Sequence, residues 1–356
     1  MKILILSASI GAGHMQAAEA IAEVFNGKAQ VLDFMDKQIS ILNWLLKKFY
    51  LCILGLVPDL YDRIYRLAGV RRFGSITRLI WSTLMYLPFA KLVNEFKPEV
   101  IICTHPFPEA AAALWKFLHP NSDRRFTLAA VLTDYSIHEI WIYDGVDVYF
   151  VATEQMRREL QEHGQENVHA TGIPIRQAFQ AFRSTPLNTE GNPLPNVLIM
   201  GGGLGLGAFE ETIRALEDID FKLKLTVITG RNEHLQNKLK GLTSKHELTI
   251  LGFVDNICEL MQKADILISK PGALTLSEAF AAGLPILLLP PIPGPEALNA
   301  EYAVKGGAAL SLNSSKEIAA TIGIVNDSVR LKSMKESSRK LAKPAAAVEI
   351  VKNIER

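Results

Sequence analysis

The stretch from residue 265 to residue 289 places the strongest constraint on how this chain can fold. It begins with a short apolar run, residues 265–269, which is followed by a Pro271-Gly272 turn. Good helix formers then cover residues 274–282, and a second apolar run closes the stretch. Two apolar runs joined by a helix predict parallel strands with a crossover helix. A chain built from such units folds as an open α/β sheet, which binds ligands beyond the carboxyl ends of its strands.

The turn before this helix is a candidate anion site, formed by Pro271, Gly272, Ala273 and Leu274. Backbone N–H groups at a helix N-terminus bind phosphate, and glycine lets a ligand approach them closely. Further along the helix, a carboxylate at Glu278 can accept both hydroxyls of a ribose. The plainer interpretation is ordinary turn chemistry with a solvated glutamate. A stiff proline-rich loop, residues 290–295, then brings Glu296 and Asn299 towards the same strand ends.

Composition limits the function classes. The chain has 356 residues, is 49% hydrophobic and 21% charged, and carries a net charge of +1. This length accommodates two globular domains, and the near-neutral charge gives no indication of nucleic-acid binding. The three cysteines, Cys52, Cys103 and Cys258, lack the paired spacing of a zinc site or a disulfide framework, so we expect a reducing, cytoplasmic setting. The first apolar run is only five residues long and leads into a glycine loop, which predicts a strand rather than a signal peptide.

The first half of the chain repeats the strand–turn–helix pattern. A strand at residues 3–7 leads through Gly11-Ala12-Gly13-His14 into a helix, without the full dinucleotide-binding fingerprint. Strands at residues 100–103 and 127–132 are followed by polar loops. These loops hold His105 and Pro106 after one strand, and Asp134, His138 and Trp141 after the other. All of these groups lie at carboxyl ends of predicted strands, where a ligand would bind.

A second domain follows residues 183–195, which have the composition of an interdomain linker. A strand at residues 196–200 leads into a loop with five glycines in seven residues, among them Gly201, Gly202, Gly203 and Gly205. The loop is no P-loop, because no Lys-Ser/Thr follows it, but it is suited to a diphosphate or a sugar. Arg231 follows the next strand, and Phe253 and Val254 follow the third. We therefore predict domains at residues 1–182 and 196–356.

Residues 37–97 interrupt this pattern with long helical, aromatic-rich sequence. The segment holds ten Lys or Arg against three acidic residues, yet none of its apolar runs reaches the roughly 20 residues of a transmembrane span. Basic residues beside Trp, Phe and Leu favour an interfacial helix on an anionic membrane. The alternative is a helical insertion packed on its own sheet, with solvated basic residues.

Seven motifs distributed along nearly the whole chain resemble one family. They are SASIGAGHMQAAEAI, LTDYSIHEIW, HATGIPI, VLIMGGGLGLG, VITGRN, LGFVDN and SKPGALTLSEAFAAGLPILL. The sequence is similar to processive diacylglycerol glucosyltransferases and monogalactosyldiacylglycerol synthases, and more distantly to the transferase that adds N-acetylglucosamine to the peptidoglycan lipid precursor. The resemblance implies the GT-B fold, in which two doubly wound Rossmann-like domains face each other across a cleft. We also expect C-terminal helices to return to the first domain.

The resemblance implies a division of labour between the domains. The first would bind a diacylglycerol-type lipid at the inner face of the cell membrane, and the second a UDP-sugar. Transfer would invert the anomeric carbon to give a β-glycoside, without a catalytic metal or other cofactor. Acceptor contacts would come from Gly13, His105, Pro106, Asp134, His138 and Trp141. Donor contacts would come from the glycine loop, Arg231, the residues 271–274, Glu296 and Asn299, with Glu278 on the ribose and the uracil beside Phe253 and Val254.

His14 is the predicted general base, because it ends a glycine turn at the carboxyl edge of the first strand and an imidazole titrates near neutral pH. The alternatives are His105, His138 or Asp134, with His14 serving only as a cap or a ligand contact. The sugar-contacting loop departs from the family's Pro-Gly-Gln-Glu pattern, since Pro295 stands where the glutamine would be. Proline offers neither an amide side chain nor a backbone N–H, so the choice between glucose and galactose stays open.

Three other functions remain alternatives to glycosyl transfer. A nucleotide-sugar 2-epimerase would share the two-domain form but would need no membrane surface. A nicotinamide oxidoreductase would need a complete glycine fingerprint, which neither glycine loop provides. A non-catalytic nucleotide-sugar sensor would bind the donor without turnover.

Overall fold

The structure is a computed structural model that describes residues 1–9, 13–38, 63, 67, 71–121, 125–184, 194–203, 205, 208–291 and 294–356. It divides into two compact units. The first is made mainly of Met1–Gln177 and Ala345–Arg356, and the second mainly of Ala178–Ile292 and Glu296–Pro344. Residues 185–193 of the predicted linker lie outside the described residues.

The first unit is built on a six-stranded, fully parallel sheet. Its strands are β1 (Ile3–Ser7), β2 (Ala29–Asp33), β3 (Val100–Cys103), β4 (Thr127–Val131), β5 (Val148–Phe150) and β6 (Val168–His169). Their order in the sheet is β2-β1-β3-β4-β5-β6, and every neighbouring pair runs parallel. Chain progression reverses between β1 and β3. This reversal creates a crevice beyond the carboxyl ends of those two strands, which is where doubly wound sheets bind ligands.

Helices cover this sheet. They are α1 (Gly13–Val24), α2 (Phe34–Gln38), α3 (Arg71–Phe96), α4 (Pro106–Leu118) and α5 (Glu154–Glu162), with a short 3₁₀ turn at Glu139–Trp141. The central strands β1 and β3 are buried along their whole length, as expected for a sheet enclosed on both faces, whereas the edge strand β2 is buried only at Leu32. α4 packs its alanines closely against the sheet, and α3 lies against α4. These two helices help to fix the loops that follow β3 and β4.

The second unit repeats the doubly wound plan. Its strands are β7 (Asn196–Met200), β8 (Lys224–Ile228), β9 (Glu247–Leu251), β10 (Ile266–Ser269), β11 (Ile286–Leu288) and β12 (Ala309–Ser311). The order is β12-β11-β10-β7-β8-β9, again wholly parallel. The reversal here falls between β7 and β10. These two strands carry the glycine loop and the Pro271-Gly272 turn at their carboxyl ends.

The helices of the second unit are α6 (Phe209–Leu216), α7 (Glu233–Lys240), α8 (Ile257–Lys263), α9 (Ala273–Ala282), α10 (Glu296–Lys305), α11 (Ile318–Thr321) and α12 (Ser328–Leu341). α9 ends at Gly283, whose φ of 66° is the left-handed conformation that a helix C-terminus favours. The predicted strand–helix–strand unit over residues 265–289 therefore has the expected form. A last helix, α13 (Ala346–Ile354), belongs to the first unit, where Ile350 and Val351 join Ile5 and Ile21 in one buried cluster.

Only part of the segment 37–97 is described, chiefly α3. Its inward face is buried at Met85, Phe89, Leu92 and Val93. The Phe and Trp residues of this segment were expected to contact a membrane, but Phe89 lies fully inside the core, and Trp81 is partly buried and stacks on Phe107 with ring centroids 4.2 Å apart. Trp44, Lys47, Lys48 and Phe49 lie outside the described residues.

The outward face of α3 carries a row of exposed aliphatic side chains, which we call the apolar stripe. Its members are Ile76, Leu79, Ile80, Leu84 and Leu87, with exposed fractions of 55%, 64%, 58%, 46% and 74%. Their spacing places them on one side of the helix, opposite the buried face. Within the described residues, no helix combines the length and apolarity needed to cross a bilayer.

Candidate active site

His14 lies in the first turn of α1, at the reversal point of the first sheet. Its Nδ1 is 3.0 Å from the backbone oxygen of Thr104, the residue that follows β3. The same Nδ1 is 2.6 Å from the hydroxyl oxygen of Thr133, in the loop after β4. In return, the Thr104 hydroxyl donates to the backbone oxygen of His14 at 3.0 Å. The segments that follow three neighbouring strands of the sheet, β1, β3 and β4, thus meet at one imidazole ring.

These contacts determine which ring nitrogen of His14 carries the proton. A carbonyl oxygen can only accept, so the nitrogen 3.0 Å from the Thr104 oxygen must be an N–H donor. The neutral ring then carries its proton on Nδ1 and a lone pair on Nε2. His14 is therefore prepared to accept a proton through Nε2.

The other two candidate histidines have the opposite arrangement. The Nδ1 of His105 accepts the backbone N–H of Phe107 at 3.2 Å and caps α4. The Nδ1 of His138 accepts the N–H of Ile140 at 3.2 Å and caps the 3₁₀ turn. With Nδ1 used as an acceptor, each neutral ring carries its proton on Nε2. Neither ring then has a lone pair to offer a substrate, and both serve as caps.

Burial keeps His14 neutral. Desolvation lowers its pKa from 6.5 to about 4, below the near-neutral value expected of this imidazole from the sequence, and the hydrogen bond to Thr104 opposes this only in part. His105 packs edge-on against it with ring centroids 4.7 Å apart, and burial holds the pKa of His105 well below its usual range as well. Both rings are uncharged at neutral pH.

A side chain of α3 holds in place the loop that contains Trp141. Arg78 donates to the backbone oxygens of Glu139 and Ile142 at 3.1 and 2.8 Å, and it forms an ion pair with the Glu139 carboxylate at 3.1 Å. This arginine was counted among the basic residues expected to meet a membrane, but its side chain is largely buried and holds the loop. Trp141 itself is buried, whereas Asp134 is half-buried in the same loop. Gly13 opens α1, and Pro106 opens α4.

In the second unit, the glycine loop packs on the turn after β8. A Cβ atom on Gly205 would lie 2.1 Å from the Thr229 oxygen, and one on Gly230 would lie 2.6 Å from the Gly203 oxygen. The N–H of Arg231 donates to the Gly203 oxygen at 3.1 Å. Gly205 and Gly230 are thus required for contact between two backbone loops. The sequence suggested only that the glycines admit a ligand.

The start of α9 has the form expected of an anion site. Gly272 is its N-cap, and within the described part of the chain no side-chain cap bonds to the first N–H groups of the helix. Glu278 is 3% exposed on the same helix, within the protein rather than solvated at the surface. On neighbouring elements, Asn299 is 1% exposed on α10, and the Arg231 guanidinium lies 5.2 Å from the centre of the half-exposed Phe253 ring. Val254 follows in the same loop.

Lys270 is a further candidate site residue, which lies in the SKPGALTL motif but was given no role from the sequence. It follows β10 directly, and its ammonium group forms an ion pair with the carboxylate of Glu296 at the start of α10. Both side chains are largely buried. Its Cε would lie 3.7 Å from a Cβ atom on Gly202, so the lysine also borders the glycine loop. A lysine just before a Pro-Gly turn was the available signal.

Two further features concern ligands. Among the described residues, no group of three or more His, Cys, Asp or Glu side chains is arranged to hold a metal ion.

A cavity of about 310 Å³ lies beside Lys270 and is lined by Leu289, Pro290 and Asn313, among others. It opens beyond the carboxyl ends of β10, β11 and β12. A sugar-sized ligand would fit in this volume.

Sequence comparisons identify the relatives of this chain. The family model for monogalactosyldiacylglycerol (MGDG) synthase matches residues 14–175, and the C-terminal domain model of glycosyltransferase family 28 matches residues 196–354. A processive diacylglycerol β-glucosyltransferase of Bacillus cereus (strain AH187) is 32% identical over 375 residues, covering 99% of this chain and 93% of the relative. The enzyme of that name from Bacillus thuringiensis (strain Al Hakam) is 31% identical over the same coverage.

Solved structures share the fold at low identity. Acinetobacter baumannii MurG aligns over 100% of this chain and 99% of its own, with a TM-score of 0.65 and 17% identity. The spinosyn rhamnosyltransferase SpnG, complexed with thymidine diphosphate, aligns over 100% of both chains with a TM-score of 0.62 and 13% identity. S. aureus MnaA, solved with UDP, gives a TM-score of 0.61 and 14% identity over 100% of this chain and 96% of its own.

The two parallel Rossmann-like sheets are thus those of a GT-B protein, as expected. The near-complete coverage at 32% identity agrees with the motifs found along the sequence. The chain belongs to the family of diacylglycerol glycosyltransferases that includes the processive diacylglycerol β-glucosyltransferases and the MGDG synthases.

Proposed function

We propose that this protein transfers a hexose from a UDP-sugar to diacylglycerol, or to a glycosyl-diacylglycerol, at the cytoplasmic face of the membrane, with inversion to a β-glycoside. The observation that carries this proposal is the state of His14. Its Nδ1–H is committed to the Thr104 oxygen, which leaves the Nε2 lone pair for an acceptor hydroxyl. Family membership supports diacylglycerol as the acceptor.

In the proposed reaction, His14 acts as the general base. Its Nε2 takes the proton of the acceptor hydroxyl while that oxygen forms a bond to the anomeric carbon. The bond between that carbon and the diphosphate oxygen breaks at the same time, and UDP leaves with the electron pair. Attack on the face opposite the diphosphate gives inversion. A neutral imidazole is required for this step, and burial provides it.

The second unit supplies the donor half of the proposal. The uncapped N-terminus of α9 and the glycine loop face the diphosphate, and the buried Glu278 accepts the ribose hydroxyls. Lys270 places a cation between these two elements. Helix amides and one ammonium group would then stabilise the departing diphosphate, a role that a metal ion fills elsewhere. Glu296 and Asn299 contact the sugar, with the uracil near Phe253.

The apolar stripe on α3 supports contact with a membrane. Five aliphatic side chains exposed along three helical turns are unusual for a surface in water. Adjacent basic residues in the same segment would favour anionic lipids. The protein would accordingly be peripheral, reaching its lipid acceptor without spanning the bilayer.

The alternative functions differ in what the site must provide. A nucleotide-sugar 2-epimerase would share the fold, since a structure named as a putative UDP-N-acetylglucosamine 2-epimerase from Listeria monocytogenes aligns with this chain. A 2-epimerase has no need of a lipid-facing stripe, and the sequence identity to that structure is 15%, against 32% to a diacylglycerol enzyme. A sensor would bind donor without using His14.

The test is to incubate the purified protein with vesicles containing diacylglycerol and with UDP-glucose or UDP-galactose. The lipid product is measured by mass and its anomeric configuration by NMR. We expect a β-hexosyl-diacylglycerol from one of the two donors, and His14→Ala should lower turnover by about 10²–10⁴-fold without loss of UDP affinity. Donor binding without glycolipid would favour the sensor, a 2-epimer product would favour the epimerase, and turnover of His14→Ala within a few-fold of wild type would refute the general base.

A further inference from the structure

The surroundings of His14 contain no carboxylate contact to its Nδ1 among the described residues. General-base histidines are often oriented by an acidic side chain, which also stabilises the imidazolium ion. Here the two oxygens near Nδ1 are neutral, one from the Thr104 backbone and one from the Thr133 side chain. Neutral dipoles, rather than a negative charge, therefore orient the His14 ring.

The two oxygens differ in kind. The Thr104 oxygen is a backbone group fixed by β3 and by the N–H of Thr104, which donates to the Leu6 oxygen at 3.0 Å. The Thr133 oxygen belongs to a buried side chain with an exposed fraction of 6%. Because the Nδ1 proton points towards the carbonyl, the nearby hydroxyl oxygen can share this proton as a second acceptor. At 2.6 Å, the threonine oxygen is the closer of the two.

We propose that Thr133 is a positioning residue for the general base. Its hydroxyl oxygen, together with the Thr104 carbonyl, holds His14 with Nε2 directed away from the sheet and stabilises the positive charge that the ring gains when it takes the acceptor proton. The inference deepens the proposed function and rests on His14 being the base. Thr133 itself touches no substrate in this scheme.

The physical reason is a charge-assisted hydrogen bond. As Nε2 is protonated, the ring becomes a cation, and the N–H···O contacts at Nδ1 strengthen. Because the ring is charged only while it holds the acceptor proton, this gain is specific to the transition state. Removal of the threonine oxygen should therefore lower kcat more than it changes KM.

The principal experiment compares Thr133→Val with wild type in the vesicle assay. Valine has nearly the same shape but no hydroxyl. We expect kcat to fall about 10-fold or more, with KM for the UDP-sugar changed less than about two-fold. Thr133→Ser, which retains the oxygen, should recover most of the lost turnover. The matched control is Thr171→Val, because Thr171 is also buried at a strand end of the first unit and its hydroxyl donates only to the nearby Gly172 oxygen in the described structure.

Two further readouts separate positioning from a purely structural effect. The acid limb of the kcat–pH profile should move to lower pH in Thr133→Val, because the imidazolium ion loses an acceptor. His105 is the titratable side chain in ring contact with His14, and Asp134 is the next residue in the Thr133 loop, so the profile is repeated with His105→Gln and Asp134→Asn. The shift caused by Thr133→Val should persist in both backgrounds. In a His14→Ala background, Thr133→Val should cause no further loss of turnover.

The results with these variants separate the positioning role of Thr133 from the role of His14 as the base. A Thr133→Val protein that keeps kcat within two-fold and an unchanged pH profile overturns the inference, as does a Thr133→Ser protein that is as impaired as the valine variant. If His14→Ala is strongly impaired while Thr133→Val is not, the base stands and only the positioning role fails. If His14→Ala itself retains turnover, both the base and the positioning role fail. Thermal unfolding of each variant establishes that the fold is intact.

Discussion

The apolar stripe gives the most direct prediction about membrane contact. Leu79 and Leu87 are its two most exposed members, at 64% and 74%. Replacing both with glutamine leaves the buried face of α3 unchanged and removes the apolar area that would enter the lipid. We expect Leu79→Gln/Leu87→Gln to bind vesicles much more weakly than wild type.

The magnitude follows from the exposed area. Complete transfer of one leucine side chain from water is worth about 1.5–3 kcal/mol. Two side chains exposed to this degree amount to roughly 1.4 leucines, so the lost free energy of binding is about 2–4 kcal/mol if both enter the lipid. This corresponds to about a 30- to 1000-fold weaker partition.

The assay is flotation with vesicles of neutral lipid and with vesicles that contain anionic lipid. The effect of the double substitution should appear on both, because it is apolar in origin, and salt should change it little. Val329→Gln is the control, since Val329 is 78% exposed on α12 of the second unit. Equal flotation of the double variant and wild type, with a native circular dichroism spectrum, would refute the role of the stripe.

The remaining predictions concern the donor half, acid stability and a buried histidine. Glu278→Ala should raise the Kd for UDP and for uridine alike by about 10-fold or more, through loss of a charge-assisted hydrogen bond, in calorimetry. Lys270→Met should raise the Kd for UDP by about 10-fold or more but leave the Kd for uridine unchanged, since the ammonium group would contact only phosphate. His14 has a folded pKa of about 4 against 6.5 unfolded, so as pH falls through this window the unfolded state takes the proton first and stability is lost, by up to roughly 3 kcal/mol. His14→Gln should flatten that loss in urea unfolding. His246→Leu should destabilise the second unit by about 2–4 kcal/mol, because two backbone hydrogen bonds lose their buried partner.

The contacts behind two of these predictions can be stated directly. The Nδ1 of His246 accepts the N–H of Leu223 at 3.2 Å, while its Nε2 donates to the Leu216 oxygen at 2.8 Å. For the pH experiment, tryptophan fluorescence reports on the first unit, because Trp44, Trp81, Trp115 and Trp141 all precede residue 178. An equal acid loss in wild type and His14→Gln would contradict the burial argument. A Lys270→Met protein that binds UDP normally would remove the lysine from the donor site.

Sequence alone was sufficient for the parts of this protein that depend on local patterns. Apolar runs that alternate with glycine turns and helices predicted two doubly wound sheets, because period and composition follow from which faces must be buried. The same reasoning placed His14, His105 and the Pro271-Gly272 turn at strand ends. It could not give the tautomer of each histidine, since all three candidates have the same side chain in similar loops.

Tertiary structure supplied the contacts of those residues. The tautomer of His14 depends on Thr104 and Thr133, which are 90 and 119 residues away in the chain. Arg78, expected to be a surface charge, supports the Trp141 loop, and Gly205 has a packing role that the sequence did not indicate. Lys270 forms an ion pair with Glu296, which is 26 residues away in the chain. Such assignments depend on three-dimensional neighbours brought together by the sheet order, and the spacing of residues along a sequence does not contain that order.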